Sequence, residues 1–232
     1  MKNNLTGIIC AMPLEMEGLR AQMSDMTVET VSGIEFVRGR IGGAPVVTAV
    51  CGVGKVFAAL CAQTMILRYA PDCLINTGVA GSLSPDLTIG QIAIARDVVQ
   101  HDMDTSPLGD PKGMISGIDV VYFNSDRRAV QILESLASSL EIPVSKGTVA
   151  TGDKFIAKAQ DRAALRQGFN ADCCEMEGAA IAHVSYVNTT PFVVVRAISE
   201  TAGGQAQEEY SAFLPKAAER SSTLTSLLIK NY

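Results

Sequence analysis

Residues 192–198 are the part of this sequence that most constrains its fold. They read Phe-Val-Val-Val-Arg-Ala-Ile, an apolar run interrupted by a single charge. A short run without polar alternation is typical of a strand that is buried on both faces of a parallel or mixed sheet. Such a sheet needs a layer of helices on each side, so the segment predicts an α/β fold.

The rest of the chain alternates strands and helices in the way this fold requires. We expect Ser125 to cap the third helix, residues 104–124 to form a long loop, and the whole chain 1–232 to be one domain, because no linker-like stretch interrupts it. The pattern predicts further strands at 5–11, 34–41, 45–51, 74–77, 92–100 and 144–150, and helices from 13 and at 55–69, 125–140, 159–167, 177–186 and 210–229.

Charge and composition exclude several classes of partner. The net charge is −5 and there is no run of Lys or Arg, which argues against nucleic acid or an anionic membrane surface. No signal peptide is recognisable, and no apolar segment reaches the ~18–20 residues of a membrane span, so we expect a cytoplasmic protein. Six cysteines without a CxxC pair predict buried free thiols, and two histidines give little basis for a metal site.

Glycines and carboxylates follow the predicted strands. The sequence GVGK at 52–55 lacks the spacing of a phosphate-binding loop, so a tight strand-to-helix turn is the stronger interpretation. The sequence GVAG at 78–81 has the same interpretation, or it lets the backbone approach a flat ligand. Ligands in open α/β sheets bind beyond the carboxyl ends of the strands, where these residues are expected.

Three carboxylates are the strongest candidates for chemistry on the residues alone. Glu175 and Glu177 lie between an apolar strand end and an Ala-rich helix, and Glu200 ends the apolar strand that carries Arg196. A buried carboxylate must be paired, hydrogen-bonded or protonated, and each of these states prepares it for acid–base work. Arg196 is the expected partner. These patterns indicate an enzyme with an acidic, apolar pocket but do not name its reaction.

Seven motifs together carry a family resemblance. In order they are GIICAMPLEME, CGVGKVFAA, INTGVAGSL, HDMD, TGDKFI, CEMEGAAIAHV and PFVVVRAISE, spread over residues 7 to 200. They closely resemble the bacterial 5′-methylthioadenosine/S-adenosylhomocysteine nucleosidases of the purine nucleoside phosphorylase superfamily. The resemblance implies a phosphorylase/hydrolase-like three-layer αβα sandwich with a central mixed β-sheet. It also implies a homodimer with shared active sites, hydrolysis of an adenine nucleoside, and no metal or organic cofactor.

The resemblance also implies roles for single residues. Glu15 corresponds to the group that activates water, Met176 and Glu177 to the groups that contact ribose, and Glu200 to the general acid at the purine. The remaining expected substrate contacts are Met12 beside the ribose or alkylthio group, Tyr210 where the family often has Phe, Phe155, Ile156 and Ser199 around the purine, Val79, Glu175 and Arg196 in the same motifs, and Thr105 and Leu108 from the partner subunit.

Two residues depart from the family pattern. The family normally has Asp where this chain has Glu200, and some relatives carry Ser where it has Val79. The longer Glu200 side chain leaves three interpretations: a working acid in an adjusted pocket, a changed substrate preference, or a weakened enzyme or sensor. The rival functions are a phosphate-dependent nucleoside phosphorylase and a nucleoside-binding protein with weak turnover. The sequence does not rank methylthioadenosine, S-adenosylhomocysteine, 5′-deoxyadenosine and aminodeoxyfutalosine as substrates.

Overall fold

A mixed β-sheet forms the centre of the molecule. The computed structural model describes residues 4–201 and 206–232, and ten strands within them belong to this sheet. The strands are β1 (Thr6–Cys10), β2 (Met23–Val31), β3 (Ile34–Ile41), β4 (Ala44–Val50), β5 (Cys73–Ser82), β6 (Ile92–Gln100), β7 (Tyr122–Asn124), β8 (Val144–Thr151), β9 (Ala171–Glu175) and β10 (Phe192–Glu200).

Helices cover both faces of the sheet. They are α1 (Pro13–Arg20), α2 (Lys55–Tyr69), α3 (Arg127–Ser139), α4 (Ala159–Phe169), α5 (Gly178–Val187) and α6 (Ala206–Asn231), with a 3-10 turn at Ser106–Leu108. Helices α2 and α5 pack together over one hydrophobic cluster, and α1, α3 and α6 share a second cluster on the opposite face. The predicted αβα layering with a mixed sheet is confirmed.

Strands β5 and β10 occupy the middle of the sheet and explain the apolar run of the sequence. Every residue of both strands is buried, and the two run parallel from the pair Phe192–Leu74 onward. Strand β10 also pairs with β6, which continues through β8 and β9 back to β5. Five strands therefore close into a ring, a feature that the sequence pattern did not predict.

Several local predictions need correction. Strand β2 was not predicted because it is a largely exposed edge strand with little apolar pattern, and the short β7 was included in the predicted loop 104–124. The cap of α3 is Asp126, not Ser125: the Asp126 side chain accepts a hydrogen bond from the Ala129 N–H at 2.8 Å. Helix α6 begins at Ala206, four residues before the predicted position 210.

Candidate active site

A cleft opens at the carboxyl ends of the central strands. This is the edge of the sheet at which the sequence predicted a site. Of the residues predicted for the site, those that line the cleft are Met12, Glu15, Val79, Phe155, Ile156, Glu175, Met176, Glu177, Ser199, Glu200 and Tyr210.

Glu15 is held rigidly at one end of the cleft. Pro13 starts α1, and Glu15 in the first turn folds back so that Oε2 accepts from the backbone N–H groups of Ala11 and Met12, at 3.0 and 2.9 Å. Its Oε1 accepts from the Val79 N–H at 3.0 Å. Burial raises the pKa of Glu15, while Arg196 and the three N–H donors oppose that rise. The result is a fixed, buried carboxylate suited to accept a proton.

Glu177 and Glu175 form the floor with Arg196 beneath them. Glu177 precedes α5, and its Oε1 accepts from the Gly54 N–H at 2.9 Å while its Oε2 lies 3.6 Å from Arg196 Nη2. Glu175 accepts hydrogen bonds from Arg196, from the Thr151 hydroxyl, and from the N–H groups of Glu177 and Gly178 at the start of α5. Glu175 therefore neutralises the arginine and caps the helix, which leaves Glu177 as the carboxylate with free acceptor capacity in the cleft.

Glu200 and Ser199 form the other end. Both are buried at the end of β10, where a bulge in the pairing with β5 turns Glu200 toward the cleft wall. Glu200 Oε2 accepts from the Ser199 hydroxyl, and Oε1 lies 3.4 Å from Nη2 of Arg162 on α4. Burial raises the pKa of Glu200, and the bonds from Ser199 and Arg162 partly offset the rise.

Apolar and aromatic side chains close the cleft between these groups. The rings of Phe155 and Tyr210 meet edge to face at 5.6 Å, and the Tyr210 hydroxyl lies 3.4 Å from Met12 Sδ. Phe155 is 43% exposed and so lies at the mouth, whereas Ile156 is buried. A flat apolar slot bounded by carboxylates at both ends suits an aromatic base attached to a polyhydroxyl group.

The glycine motifs serve these carboxylates. Gly52 and Gly54 have φ of +95° and +101°, which confirms the tight turn at GVGK, and that turn binds the Glu177 carboxylate instead of a phosphate. In GVAG the two glycines leave space for neighbouring side chains. A Cβ on Gly78 would collide with Arg196 and Glu15, and one on Gly81 would lie 2.5 Å from Glu200 Oε1. The glycines thus admit buried charged side chains to the edge of β5.

Three predicted site residues lie outside the cleft lining. Arg196 is 1% exposed beneath the carboxylates, so it acts on the cleft through Glu175 and Glu177. Thr105 bonds to Asp110 in its own loop, and Leu108 is 85% exposed at the surface. The sequence did not predict Arg162 as a site residue. Its pattern is that of an exposed arginine on a surface helix, and nothing in it indicates that the side chain is buried.

Replacing Glu177 by glutamine is expected to stabilise the fold at alkaline pH. Burial and the neighbouring Glu175 raise the pKa of Glu177 in the folded state. A raised folded pKa means that stability is full below the unfolded pKa and declines as the pH rises through the folded one. We expect E177Q to raise the free energy of unfolding by about 1–2 kcal/mol at about pH 8, and by nearly nothing at about pH 5.

Urea unfolding at the two pH values measures this effect. The matched control is E175Q, which removes the carboxylate bonded to Arg196 and is expected to destabilise the protein at both pH values. An E177Q protein that is less stable than the wild type at alkaline pH would show that the Arg196 contact outweighs the burial of the charge.

All six cysteines are free and buried, as predicted. Across residues 4–201 and 206–232 there is no group of three or more His, Cys, Asp or Glu side chains able to hold a metal ion. None of the helices in those same ranges has both the length and the apolar character needed to cross a bilayer.

Comparison with known proteins places this geometry in a family. The model of the phosphorylase superfamily matches residues 6–230. A 5′-methylthioadenosine/S-adenosylhomocysteine nucleosidase from Anoxybacillus flavithermus is 39% identical over 96% of each chain. The crystal structure of the Neisseria meningitidis nucleosidase of that name, in complex with methylthio-immucillin-A, has a TM-score of 0.95 at 31% identity, covering 99% of this chain and 100% of that one.

A second solved structure shows the breadth of the group. Futalosine hydrolase of Helicobacter pylori has a TM-score of 0.94 at 29% identity and covers 98% of each chain. Because the match to the curated nucleosidases runs over nearly the full length at well above 30% identity, the resemblance of the seven motifs is confirmed. The chain belongs to the 5′-methylthioadenosine/S-adenosylhomocysteine nucleosidase family of the phosphorylase superfamily.

Proposed function

We propose that this enzyme hydrolyses the N-glycosidic bond of a 5′-substituted adenosine and releases adenine. The observation that carries the proposal is that three buried carboxylates line one cleft: Glu15 beside Gly78, Glu200 beside Gly81 further along β5, and Glu177 at the start of α5. Departure of a purine from ribose leaves an oxocarbenium-like sugar and an electron-rich base. The reaction therefore needs a base to activate water, an anion beside the sugar and an acid at the purine, and the three carboxylates supply these roles.

Glu15 activates the water. Three backbone N–H groups fix both of its oxygens, so no reorganisation is needed when a water is bound. Its raised pKa makes it a stronger base than an exposed glutamate, and the charge of Arg196 opposes part of that rise. The carboxylate accepts a proton from water as the oxygen attacks the anomeric carbon, and this general-base step contributes about 10²–10⁴-fold.

Glu177 holds the sugar. One of its oxygens is fixed by the Gly54 N–H, which aims the carboxylate at the cleft and leaves acceptor sites for ribose hydroxyl groups. A negative charge at this position also stabilises the developing oxocarbenium ion. Met176 and Met12 line the cleft beside it and suit an uncharged alkylthio substituent.

Glu200 protonates the leaving group. A general acid must hold its proton near neutral pH, and burial raises the pKa of Glu200 in that direction. The proton passes from the carboxyl group to the purine nitrogen as the glycosidic bond breaks, so that the base leaves as a neutral molecule. Glu200 and Ser199 bound the same end of the slot as Ile156, where the base would lie.

A phosphorolytic reaction fits the cleft poorly. Phosphate needs accessible cations, but Arg196 is paired with Glu175 and Glu177 beneath the floor, and Lys154 in the cleft lining is paired with Asp161. Four glutamates line the cleft, namely Glu15, Glu175, Glu177 and Glu200, and they would repel an anion. Water is therefore the nucleophile that this electrostatic environment favours.

The decisive experiment measures adenine release with and without phosphate. Methylthioadenosine, S-adenosylhomocysteine, 5′-deoxyadenosine and aminodeoxyfutalosine are supplied in parallel, and adenine and the sugar product are quantified. We expect phosphate-independent release of adenine together with a free 5′-substituted ribose. Formation of ribose 1-phosphate derivatives would establish a phosphorylase instead, and binding without adenine release at high enzyme concentration would establish a binding protein.

We further propose that two copies assemble and complete each other's sites. Leu108 does not reach its own cleft and is free to enter that of a partner. Lys55 at the start of α2 bonds to Asp102, which ties this helix to the segment that leads to Leu108. The exposed apolar face around α2 offers the area for such contact, through Val53, Val56, Phe57, Leu60 and Leu67.

Replacing Leu60 by glutamate is expected to dissociate the dimer. A charge buried at the centre of an apolar interface lacks a partner, so the association free energy is lost. Light scattering should give the mass of one chain for L60E and of two for the wild type. The matched control is V28E, the same change on the exposed edge strand β2, which should leave the mass unchanged. A wild-type protein that is monomeric would contradict the proposal.

The cytoplasm is the compartment that suits this chain. Six buried free thiols are typical of a reducing environment, in which disulfides do not form. We likewise propose that the chain works as one domain, because a single sheet links β1 to β10 and both helical layers pack on it.

A further inference from the structure

A buried arginine that the proposed mechanism does not use lies at the purine end of the cleft. Arg162 on α4 is 1% exposed, although its helix otherwise carries exposed polar residues. Its Nε donates to the Ile156 carbonyl at 2.9 Å, and its Nη1 donates to the carbonyls of Ser82 and Thr201, both at 2.8 Å. One side chain therefore joins the ends of β5 and β10 to the segment that lines the slot.

The fourth hydrogen bond of Arg162 goes to Glu200. Nη2 lies 3.4 Å from Oε1 of that carboxylate, and both side chains are almost completely buried. Gly81 makes room for the pair, since a Cβ there would lie 2.5 Å from Oε1 and 3.2 Å from Nη2. The contact between Arg162 and Glu200 therefore depends on the absence of a side chain at Gly81.

We propose that Arg162 is a positioning residue that determines which oxygen of Glu200 carries the proton. A guanidinium has only donors, and the carbonyl oxygen of a neutral carboxyl group accepts better than its hydroxyl oxygen. The Arg162 N–H therefore favours Oε1 as the carbonyl oxygen and places the proton on Oε2, beside Ser199. The Ser199 hydroxyl has a second acceptor in the Ala80 carbonyl, at 3.3 Å, so it can turn away and leave Oε2 free to donate. This role rests on the proposed hydrolysis and sharpens it.

The charge of Arg162 also acts on the ionisation of Glu200. Burial raises the pKa of Glu200, and the bonds and charge of Ser199 and Arg162 lower it. The other titratable groups facing it are Cys174 from β9 and Glu209 and Tyr210 from α6. A general acid works only while protonated, so kcat declines as the pH rises through this pKa. Loss of the arginine charge raises the pKa and moves that decline to higher pH.

The test compares R162M with R162K in the full-length protein, using methylthioadenosine and adenine release. For R162M we expect kcat to fall by about 10²-fold with KM within about threefold, because a misplaced acid affects the chemical step. The alkaline limb of kcat should move up by about one pH unit. R162K keeps the charge but loses the planar fork, so kcat should fall while the limb stays in place.

Two controls separate positioning from general damage. R166M removes the next arginine of α4, which pairs with Asp172 away from the cleft, and should leave kcat and the limb unchanged. In an E200Q background, which cannot donate the proton, R162M should cause less than about a threefold further loss, because the two residues act as one unit.

The outcomes distinguish the two proposals. If the wild type releases adenine and R162M or R162K has the same kcat and pH profile as the wild type, the proposed role of Arg162 is overturned and the proposed hydrolysis stands. An equal loss of kcat from R162M in the wild-type and E200Q backgrounds would also overturn this role, since it would reveal a structural effect. If R162M does not fold, R162K decides by the same criteria. Absence of adenine release from the wild type with every substrate would overturn the hydrolysis and this role together.

Discussion

Replacing Glu15 by glutamine is expected to lower kcat for adenine release by about 10²–10⁴-fold. Glutamine keeps one oxygen, which can still accept from the N–H groups of Ala11 and Met12, while its NH2 group takes the place of the oxygen that accepts from Val79. Two of the three hydrogen bonds that hold this corner are therefore retained. It cannot take a proton from water. Because the base is used in the chemical step, KM should change far less than kcat.

The pH profile gives the E15Q prediction a second readout. A general base works only while ionised, so the wild-type kcat should fall as the pH drops through the pKa of Glu15, which burial raises. Together with the alkaline limb from Glu200, this gives a bell-shaped profile. E15Q should lose the part of the acidic limb that Glu15 contributes and keep the alkaline limb. Protonation of Glu177, whose pKa burial raises to about 7, contributes the rest of the acidic limb.

The matched control for this prediction lies on the same helix. Glu17 is exposed two residues further along α1, and E17Q should retain the wild-type kcat and both limbs. An E15Q protein within tenfold of the wild-type rate would show that Glu15 does not activate the water. Loss of activity in both variants would point to damage to α1 instead.

The order of strands and helices could be predicted because it depends on local patterns. The helix at Lys55–Tyr69 and the strands at Ile34–Ile41 and Ile92–Gln100 have the bounds that their apolar periodicity and flanking glycines indicate. Strand β2 escaped prediction because its side chains are mostly exposed and carry no core signal. The ring closed by β5 and β10 escaped because sheet closure depends on pairings between distant segments.

The candidate site was predictable to the level of which residues meet, and no further. A glutamate at the end of an apolar strand must be buried, and this argument brought Glu177 and Glu200 together with Arg196 as their expected neighbour. It did not distinguish the role of Glu175 from that of Glu177, because the two residues lie only two positions apart at the end of the same strand. Their difference arises from contacts with Thr151 and Gly54, which lie far away along the chain.

Arg162 shows why some site residues give no signal in a sequence. Its helix reads AQDRAALRQGF, in which Arg162 and Arg166 look equivalent. Only the tertiary fold buries the first between β5 and β10 and leaves the second partly exposed. The long Glu200 side chain departs from the family pattern, but Arg162 and the space beside Gly81 provide a fitted environment for it.

Replacing Arg196 by methionine is expected to lower the free energy of unfolding by about 3–5 kcal/mol near neutral pH. Arg196 is the cation between Glu175 and Glu177, and it also bonds to the Asn76 side chain. Methionine fills much of the same volume but leaves these buried carboxylates without a positive partner. The cost is the burial of uncompensated negative charge, far more than the loss of one hydrogen bond.

The pH dependence of this loss distinguishes charge from packing. Burial already raises the pKa of Glu15 and of Glu177, and Arg196 opposes both shifts. Without the arginine their folded pKa values rise further above the unfolded values, so the folded state binds more protons and gains stability as the pH falls. The deficit of R196M relative to the wild type should therefore be largest at about pH 8 and smaller at about pH 5.

Urea unfolding of R196M at both pH values measures the deficit, with R68M as the control. Arg68 pairs with Glu29 at the surface, where water screens the charges, so R68M should remain close to the wild type at either pH. A deficit of equal size at both pH values would mean that Arg196 acts by filling space. A deficit that shrinks on acidification would mean that its positive charge is what allows Glu15, Glu175 and Glu177 to lie together in one apolar cleft.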